Sequence, residues 1–307
     1  MITMNETEAR GLITDYYLSE SHTEDDKFMF VEALRFLIDE YHNPNDMHNL
    51  AWFYAEEKDF RLYQKYLEMA AEYGYRPSYE SLGYLWYYGQ TGTVDYEKAF
   101  RYFSMGAESC DDHLRIGCEY KIADMYRFGY FVEKDEEKYV EIIERLYEEC
   151  SHPEDLFSLI PPEFLPWPAL NYRMAGILES EGNITEALHL LGEARTGFAE
   201  YLRSNPSWWG NIEEMEKVVL MMHRLSPSTD GLTDLYDLFW LSEKECCLKF
   251  LYRGIPCTVE CIAEDGKMVI RFNNRWYRSI SDFFEKAKIG GRPVTALFGE
   301  LIEYQVS

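Results

Sequence analysis

The chain has 307 residues, of which 47% are hydrophobic and 28% are charged, and its formal net charge is −25. Such a chain can bury a substantial core in two domains, and its acidic surface disfavours nucleic acid and anionic membranes while favouring a basic partner. It has no apolar run near the length of about 18 residues that spans a bilayer, and residues 1–20 lack a signal-peptide pattern, so we expect a cytoplasmic protein.

The N-terminal part of the sequence predicts two helices, residues 6–20 and 24–42, that cap an array of repeats. Asn43, Pro44 and Asn45 then break the helical pattern. The next helices are best seen in residues 78–107, where a first helix, a turn and a second helix follow one another. The first helix places Leu82, Gly83 and Trp86 on one face. The small Gly83 would allow a second helix, capped by Asp95, to approach closely.

The same two-helix pattern recurs three more times, with Ala51, Ala123 and Ala175 in the place of Gly83. A hairpin of this size cannot bury its apolar face alone, so the copies must stack on one another. The loop is four residues shorter in the copies around Ala51 and Ala175. Repetition of this kind predicts an α-solenoid.

The two longer copies resemble Sel1-like repeats, whose pattern places Leu-Gly, Gly, Asp and Lys-Ala at fixed positions, and the shorter copies are similar to tetratricopeptide repeats. Departures from the pattern occur at Thr91, Phe131 and Tyr139. The resemblance covers about half of the chain, residues 46–199, and implies a partner-binding scaffold with no catalytic residue. The matching residues are Leu82, Gly83, Gly89, Asp95, Lys98, Ala99 and Ala107 in one copy, and Ile122, Tyr126, Gly129, Val132, Asp135 and Lys138 in the other.

Two further segments complete the predicted organisation. A Pro-rich insertion, residues 151–168, is too apolar for a free linker, and we expect it to pack across the solenoid. Beyond two more helices, residues 211–225 and 233–241, the sequence changes to short strands. The predicted domains are therefore 1–245, a mostly α helical-repeat domain, and 246–307, a small α+β domain. The predicted elements of the small domain are strands 249–252, 256–263, 268–272, 275–278 and 301–306 and the helix 280–288.

The offsets within the first helices predict a row of aromatic and basic side chains on the concave face of the solenoid. Such residues dominate binding hot spots, so we expect a non-enzymatic scaffold that binds a protein or peptide there. The alternative is aromatic packing between adjacent helices. The predicted partner-binding residues are Trp52, Tyr84, Tyr87, Tyr120, Arg127 and Tyr172.

A second candidate site lies in the C-terminal domain. If Asn273 and Asn274 form a two-residue turn, Arg271, Trp276 and Arg278 share one sheet face. Arginine beside a flat aromatic ring fits a carboxylate or a nucleobase, although ordinary cross-strand packing would give the same pattern. From Lys249 onward there are nine Lys and Arg against seven Asp and Glu. This leaves open a regulator or defence-system component whose C-terminal domain binds nucleic acid or a nucleotide.

The sequence contains no recognisable catalytic or cofactor motif. Cys257 and Cys261 would lie about 13 Å apart along one strand, too far to share a metal ion. The odd count of seven cysteines favours free thiols. We therefore predict no catalytic site, no metal site and no cofactor.

Overall fold

The computed structural model describes residues 4–19, 21–109, 112–151, 167–206, 208–227, 234–297 and 299–306. The chain divides into two compact units, residues 1–142 and 143–307. The predicted Pro-rich insertion lies outside the described residues except at positions 151, 167 and 168.

The first unit consists of helices that pack in consecutive pairs. The helices are α1 (Glu6–Leu18), α2 (Glu24–Tyr41), α3 (Pro44–Glu56), α4 (Phe60–Glu72), α5 (Pro77–Tyr88), α6 (Tyr96–Ala107), α7 (Asp112–Phe128) and the start of α8 (Glu136–Ser151). Within each repeat, α3, α5 and α7 are the first helices, and α4, α6 and α8 are the second.

The N-terminal pair begins as the sequence predicts, because each helix has a reciprocal cap. The Asn5 side chain accepts from Glu8 N–H and the Glu8 carboxylate accepts from Asn5 N–H, which satisfies two backbone donors. Thr23 at the start of α2 has the same arrangement. The two helices thus have defined ends even though their first turns are exposed.

One turn geometry recurs through the repeats and confirms them. The Asp95 N–H donates to the carbonyl nine residues earlier, as does that of Asp135, whereas Asp59 N–H donates to the carbonyl five residues earlier. Each of these aspartates also caps its helix, because its carboxylate accepts a backbone N–H three residues later at 2.9–3.1 Å. The two turn lengths differ by the four residues that the sequence predicts.

The second helix of a repeat approaches the first most closely at Gly83. The Phe103 ring of α6 is fully buried and lies against this glycine, so an added Cβ would be 2.4 Å from Phe103 Cε1. Such a contact is shorter than any real packing distance, and the buried ring has no free space into which it can move. This confirms the predicted role of Gly83 as a helix contact.

We expect Gly83→Ala to lower the free energy of unfolding by about 1–3 kcal/mol through overpacking against Phe103. The matched control is Gly11→Ala, since Gly11 lies in α1 with no atom within 4 Å of an added Cβ. That substitution should raise the stability by about 0.5–1 kcal/mol, because alanine is the better helix former. Chemical denaturation measures both, and equal effects at the two glycines would contradict the close contact.

The second unit contains the end of α8 and, among its described residues, another helix pair, α9 (Trp167–Ser180) and α10 (Ile184–Ser204), followed by α11 (Trp209–Leu225). The Asn183 N–H donates to the carbonyl five residues earlier, so this pair has the short turn predicted for it. A 3-10 turn, Leu235–Asp237, runs directly into the short helix α12 (Leu238–Leu241). The Arg195 guanidinium of α10 holds this turn through Asp234 and Asp237.

The unit continues with a five-stranded antiparallel sheet. Its strands are β1 (Cys246–Tyr252), β2 (Ile255–Glu264), β3 (Lys267–Phe272), β4 (Arg275–Tyr277) and β7 (Leu301–Val306), in the order β4-β3-β2-β1-β7. The Asn273 and Asn274 backbones both have positive φ, 49° and 61°, which makes a type I′ turn between β3 and β4. The predicted pairing of Arg271 with Trp276 is confirmed.

Helix α13 (Ile280–Lys286) covers one face of this sheet. Its Phe283 ring packs edge-on against Phe272 and Tyr277, at centroid distances of 5.6 and 5.4 Å. The prediction that the helix reaches residue 288 was wrong, because residues from Lys288 onward form a small hairpin, β5 (Lys288–Ile289) and β6 (Arg292–Pro293). The α+β part shares the second unit with α9–α11, and the predicted domain boundary at 245/246 stays a prediction.

Candidate functional site

The first helices of three successive repeats lie side by side in the first unit. Between α3 and α5, His48 Nδ1 lies 3.0 Å from Ser78 Oγ. Between α5 and α7, the Tyr84 and Tyr120 hydroxyls are hydrogen-bonded at 2.6 Å. We call this surface, formed by α3, α5 and α7, the first-helix face.

The centre of the first-helix face is a lysine surrounded by tyrosines. Lys121 Nζ lies 5.2–5.5 Å from four tyrosine ring centroids, and its side chain is only 2% exposed. It donates to the Tyr88 hydroxyl at 2.9 Å and lies 3.6 Å from the Asp124 carboxylate. The buried ammonium is thus stabilised by ring faces, a hydroxyl and a carboxylate together. The tyrosine cluster around Lys121 comprises Tyr84, Tyr87, Tyr88 and Tyr120.

The cluster is packed tightly enough to hold its side chains in place. Tyr84 meets the Phe103 ring edge-on at 5.3 Å, and its burial raises the pKa of its hydroxyl well above the usual value. Tyr87 is half-buried and contacts Tyr96 and Tyr130 as well as Phe103. The hydroxyls of Tyr84 and Tyr120 therefore lie in the packing between helices, while Tyr84 and Tyr87 are both only half-buried.

A second polar group on the same face is built around His48. The Trp52 indole N–H donates to His48 Nε2 at 2.8 Å, so Nε2 must be unprotonated. The neutral ring then carries its proton on Nδ1 and donates it to Ser78 Oγ. Burial lowers the pKa of His48 to about 4. His48 is thus a neutral bridge that orients Trp52 on α3 and joins α3 to α5.

Two further residues of the predicted partner-binding row, Arg127 and Tyr172, lie outside the tyrosine cluster. Arg127 in α7 donates to the Tyr139 hydroxyl at 3.1 Å and stacks on the same ring. Tyr172 lies in α9, in the second unit, half-buried beside Arg173. The structure thus brings Tyr84, Tyr87 and Tyr120 together in one cluster. The role of the six residues in binding a partner stays a prediction.

The second candidate site, on the sheet, has Trp276 at its centre. This side chain is 56% exposed, and the Arg271 guanidinium lies 5.6 Å from its ring centroid. Glu260 of the neighbouring strand binds Arg271 through both carboxylate oxygens, at 2.5 and 2.7 Å. Two of the three donor nitrogens that a carboxylate or nucleobase would use, Nε and Nη2 of Arg271, are therefore already engaged. Arg278 is exposed, and its backbone N–H donates to Asp282.

Sequence reasoning missed Lys121 and Glu260, although both have a signal in the sequence. Lys121 falls on the helical stripe of Cys118 and Met125, which are fully buried, so its position predicts burial. Glu260 is placed opposite Arg271 by the turn that pairs Glu264 with Lys267. Counting back from that turn would have revealed the ion pair.

Within the described residues, no group of three or more His, Cys, Asp or Glu side chains is arranged to hold a metal ion. No helix in the described part of the chain is long and apolar enough to cross a membrane. The cytoplasmic location and the absence of a cofactor stay predictions.

The structure defines a class, a protein of paired helical repeats followed by an antiparallel α+β segment. No family model and no curated protein matches the sequence. A solved structure of a Sel1 repeat protein from Oxalobacter formigenes is similar, with 16% identity, 72% of this chain and 85% of that chain covered, and a TM-score of 0.42.

A protective antigen present in uropathogenic Escherichia coli strains, described as displaying an SLR fold, is also similar. The identity is 18%, the similarity covers 78% of this chain and 64% of that chain, and the TM-score is 0.31. Both are similarities of fold at low sequence identity.

Proposed function

We propose that the protein is a non-enzymatic scaffold that binds a polypeptide partner on its first-helix face. The observation that carries this proposal is the half-buried Tyr87 ring, which the tyrosine cluster around Lys121 and the neighbouring Phe103, Tyr96 and Tyr130 hold in place on this face. Rigid aromatic side chains lose little entropy on binding, so a pre-arranged set of them is a good anchor for a partner. Trp52 and Arg127 extend the face on either side of the cluster.

The charge of the chain supports a basic partner. The net charge is −25, so a positively charged segment is attracted at long range while acidic proteins and nucleic acids are repelled. We therefore place a basic, partly apolar peptide segment on this face.

A test of the proposed function starts with proteins captured by the immobilised chain from its own cells and identified by mass spectrometry. The affinity of the captured partner is then measured for Trp52→Ala and Arg127→Ala. We expect at least one variant to weaken binding about thirtyfold, or about 2 kcal/mol, as loss of a hot spot does. Circular dichroism must show that each variant is folded at the temperature of the affinity measurement.

The matched control is Tyr73→Ala, since Tyr73 is an aromatic residue of the same unit, is 55% exposed and lies at the end of α4, a second helix. Its removal should leave affinity unchanged. If Trp52→Ala and Arg127→Ala also bind as wild type does, the first-helix face is not the binding surface.

The exposed Trp276 supports a second candidate function, binding of nucleic acid or a nucleotide by the C-terminal segment. The ion pair of Arg271 with Glu260 weighs against it. A gel shift with the full chain decides, because phosphate contact must weaken steeply as salt rises. A shift that appears at low salt and is lost in Trp276→Ala would support this function, and no shift at low salt would remove it.

A further inference from the structure

Two cysteines face each other across the first two strands of the sheet. Cys246 at the start of β1 is paired with Cys261 of β2 in the antiparallel register. The hairpin turn, Arg253 and Gly254, contains two residues with positive φ, so Tyr252 and Ile255 next to it form a hydrogen-bonded pair. Hydrogen-bonded and non-hydrogen-bonded pairs alternate along an antiparallel ladder. Cys246 and Cys261 are six positions from Tyr252 and Ile255 in each strand, an even number, so they also form a hydrogen-bonded pair.

The backbone spacing at this pair suits a disulfide. The Cα atoms of a hydrogen-bonded antiparallel pair lie about 5.5 Å apart, and disulfides most often join Cα atoms about 5.5–6 Å apart. Both thiols are free. Because the two residues are directly opposite in the register, their side chains lie on the same face of the sheet, with the thiols facing each other across the two strands.

The neighbouring cysteines of the hairpin are placed differently. Cys247 is the next residue of β1, so its side chain points to the opposite face of the sheet, where its partner in the register is Glu260. Cys257 is paired with Phe250 and directs its thiol to the Ile255 carbonyl at 3.7 Å. Within the described hairpin, Cys246 and Cys261 are therefore the only two cysteines that lie directly opposite each other in the register.

The two thiols differ in a way that assigns them separate roles. Cys246 is half-buried, and the hydrogen bond from the Cys261 thiol lowers the pKa of Cys246. Cys261 is 2% exposed, and its pKa is raised by that hydrogen bond and by burial. Cys246 is thus the accessible sulfur that forms a thiolate, and Cys261 is the protected thiol behind it.

We propose that Cys246 and Cys261 are a redox-active dithiol that a peroxide converts into an intramolecular disulfide between β1 and β2. In the first step the Cys246 thiolate attacks one peroxide oxygen, the O–O bond breaks, and hydroxide leaves with the electron pair. In the second step the Cys261 sulfur attacks the resulting sulfenic acid, the S–O bond breaks, and the oxygen leaves as water. Two electrons pass from the thiols to the peroxide.

The bond would fix the first residue of β1 to β2. The next pair along the register is Cys247 with Glu260, whose carboxylate holds Arg271 against Trp276. Oxidation would therefore stiffen the strands beneath that exposed group, whether or not the group binds a ligand.

The test treats the reduced full-length protein with hydrogen peroxide, blocks the remaining thiols by alkylation, and maps tryptic peptides without reduction. Trypsin releases residues 245–249 and 254–267, each of which carries two cysteines. We expect a cross-link between these peptides in wild type and in the double variant Cys247→Ser/Cys257→Ser. We expect none in Cys246→Ser.

Cys261→Ser should likewise lose the cross-link and leave Cys246 as a sulfinic or sulfonic acid. Serine at the buried position 261 can impair folding, so the decisive variant is Cys246→Ser, whose position is only half-buried. A cross-link that persists in Cys246→Ser would overturn the proposal. So would wild-type protein in which peroxide over-oxidises Cys246 without joining the two peptides.

Discussion

Replacement of Glu214 by methionine is expected to lower the free energy of unfolding by about 3–5 kcal/mol, the usual effect of removing one member of a buried ion pair. Glu214 in α11 accepts from Arg173 Nη1 at 3.1 Å, and the Arg173 side chain is 2% exposed. The same nitrogen donates to the Ala169 carbonyl at 2.8 Å. Without the carboxylate, the buried Arg173 guanidinium in α9 loses this charged partner.

Two controls separate this effect from general changes in α11. Glu213→Met changes the adjacent, more exposed carboxylate and should alter stability by no more than about 0.5 kcal/mol. The double variant Arg173→Met/Glu214→Met should recover most of the loss, because apolar side chains of similar volume replace buried ion pairs well. Urea denaturation measures all three, and a double variant as unstable as Glu214→Met would contradict the ion-pair explanation.

Acid should weaken the first unit through His48. The pKa of His48 is about 4 in the folded chain against 6.5 for the free side chain, so between these values the unfolded chain binds the extra proton. Stability from the neutral ring is therefore complete above pH 6.5 and is lost as the pH falls toward 4. A shift of this size corresponds to about 3 kcal/mol. Protonation of Nε2 would also break the hydrogen bond from Trp52.

The comparison with His48→Gln isolates this effect from the many carboxylates of the chain. Glutamine can accept from the Trp52 indole and donate to Ser78 but does not titrate. When the pH is lowered from 7 to 4, the free energy of unfolding should therefore decrease by about 3 kcal/mol more in wild type than in His48→Gln. Parallel pH dependence in the two proteins would show that His48 is not held neutral by the fold.

The repeat fold could be predicted from the sequence because its determinants are local. Asp59, Asp95 and Asp135 cap their helices through residues three positions away, and Gly83 is small where the two helices of one hairpin meet. The turn at Asn273 fixed the register of β3 and β4 for the same reason. Short-range patterns of this kind do not depend on the rest of the chain.

The candidate sites could be predicted only in part, because their contacts join distant residues. Tyr84 and Tyr120 were predicted to share one face, but their mutual hydrogen bond depends on how two hairpins pack. Lys121 was missed because the rings that surround it come largely from another helix. Glu260 was missed because its pairing with Arg271 follows from strand register and not from residue type.

Hydrogen–deuterium exchange of the chain with and without its captured partner tests the proposed binding surface most directly, since it needs no substitution. If the first-helix face binds the partner, slower exchange on binding should be concentrated in peptides from α3, α5 and α7, with no change in β3 and β4. Slower exchange confined to the sheet, or to the second helices α4 and α6, would contradict the proposal that the first-helix face is the working surface.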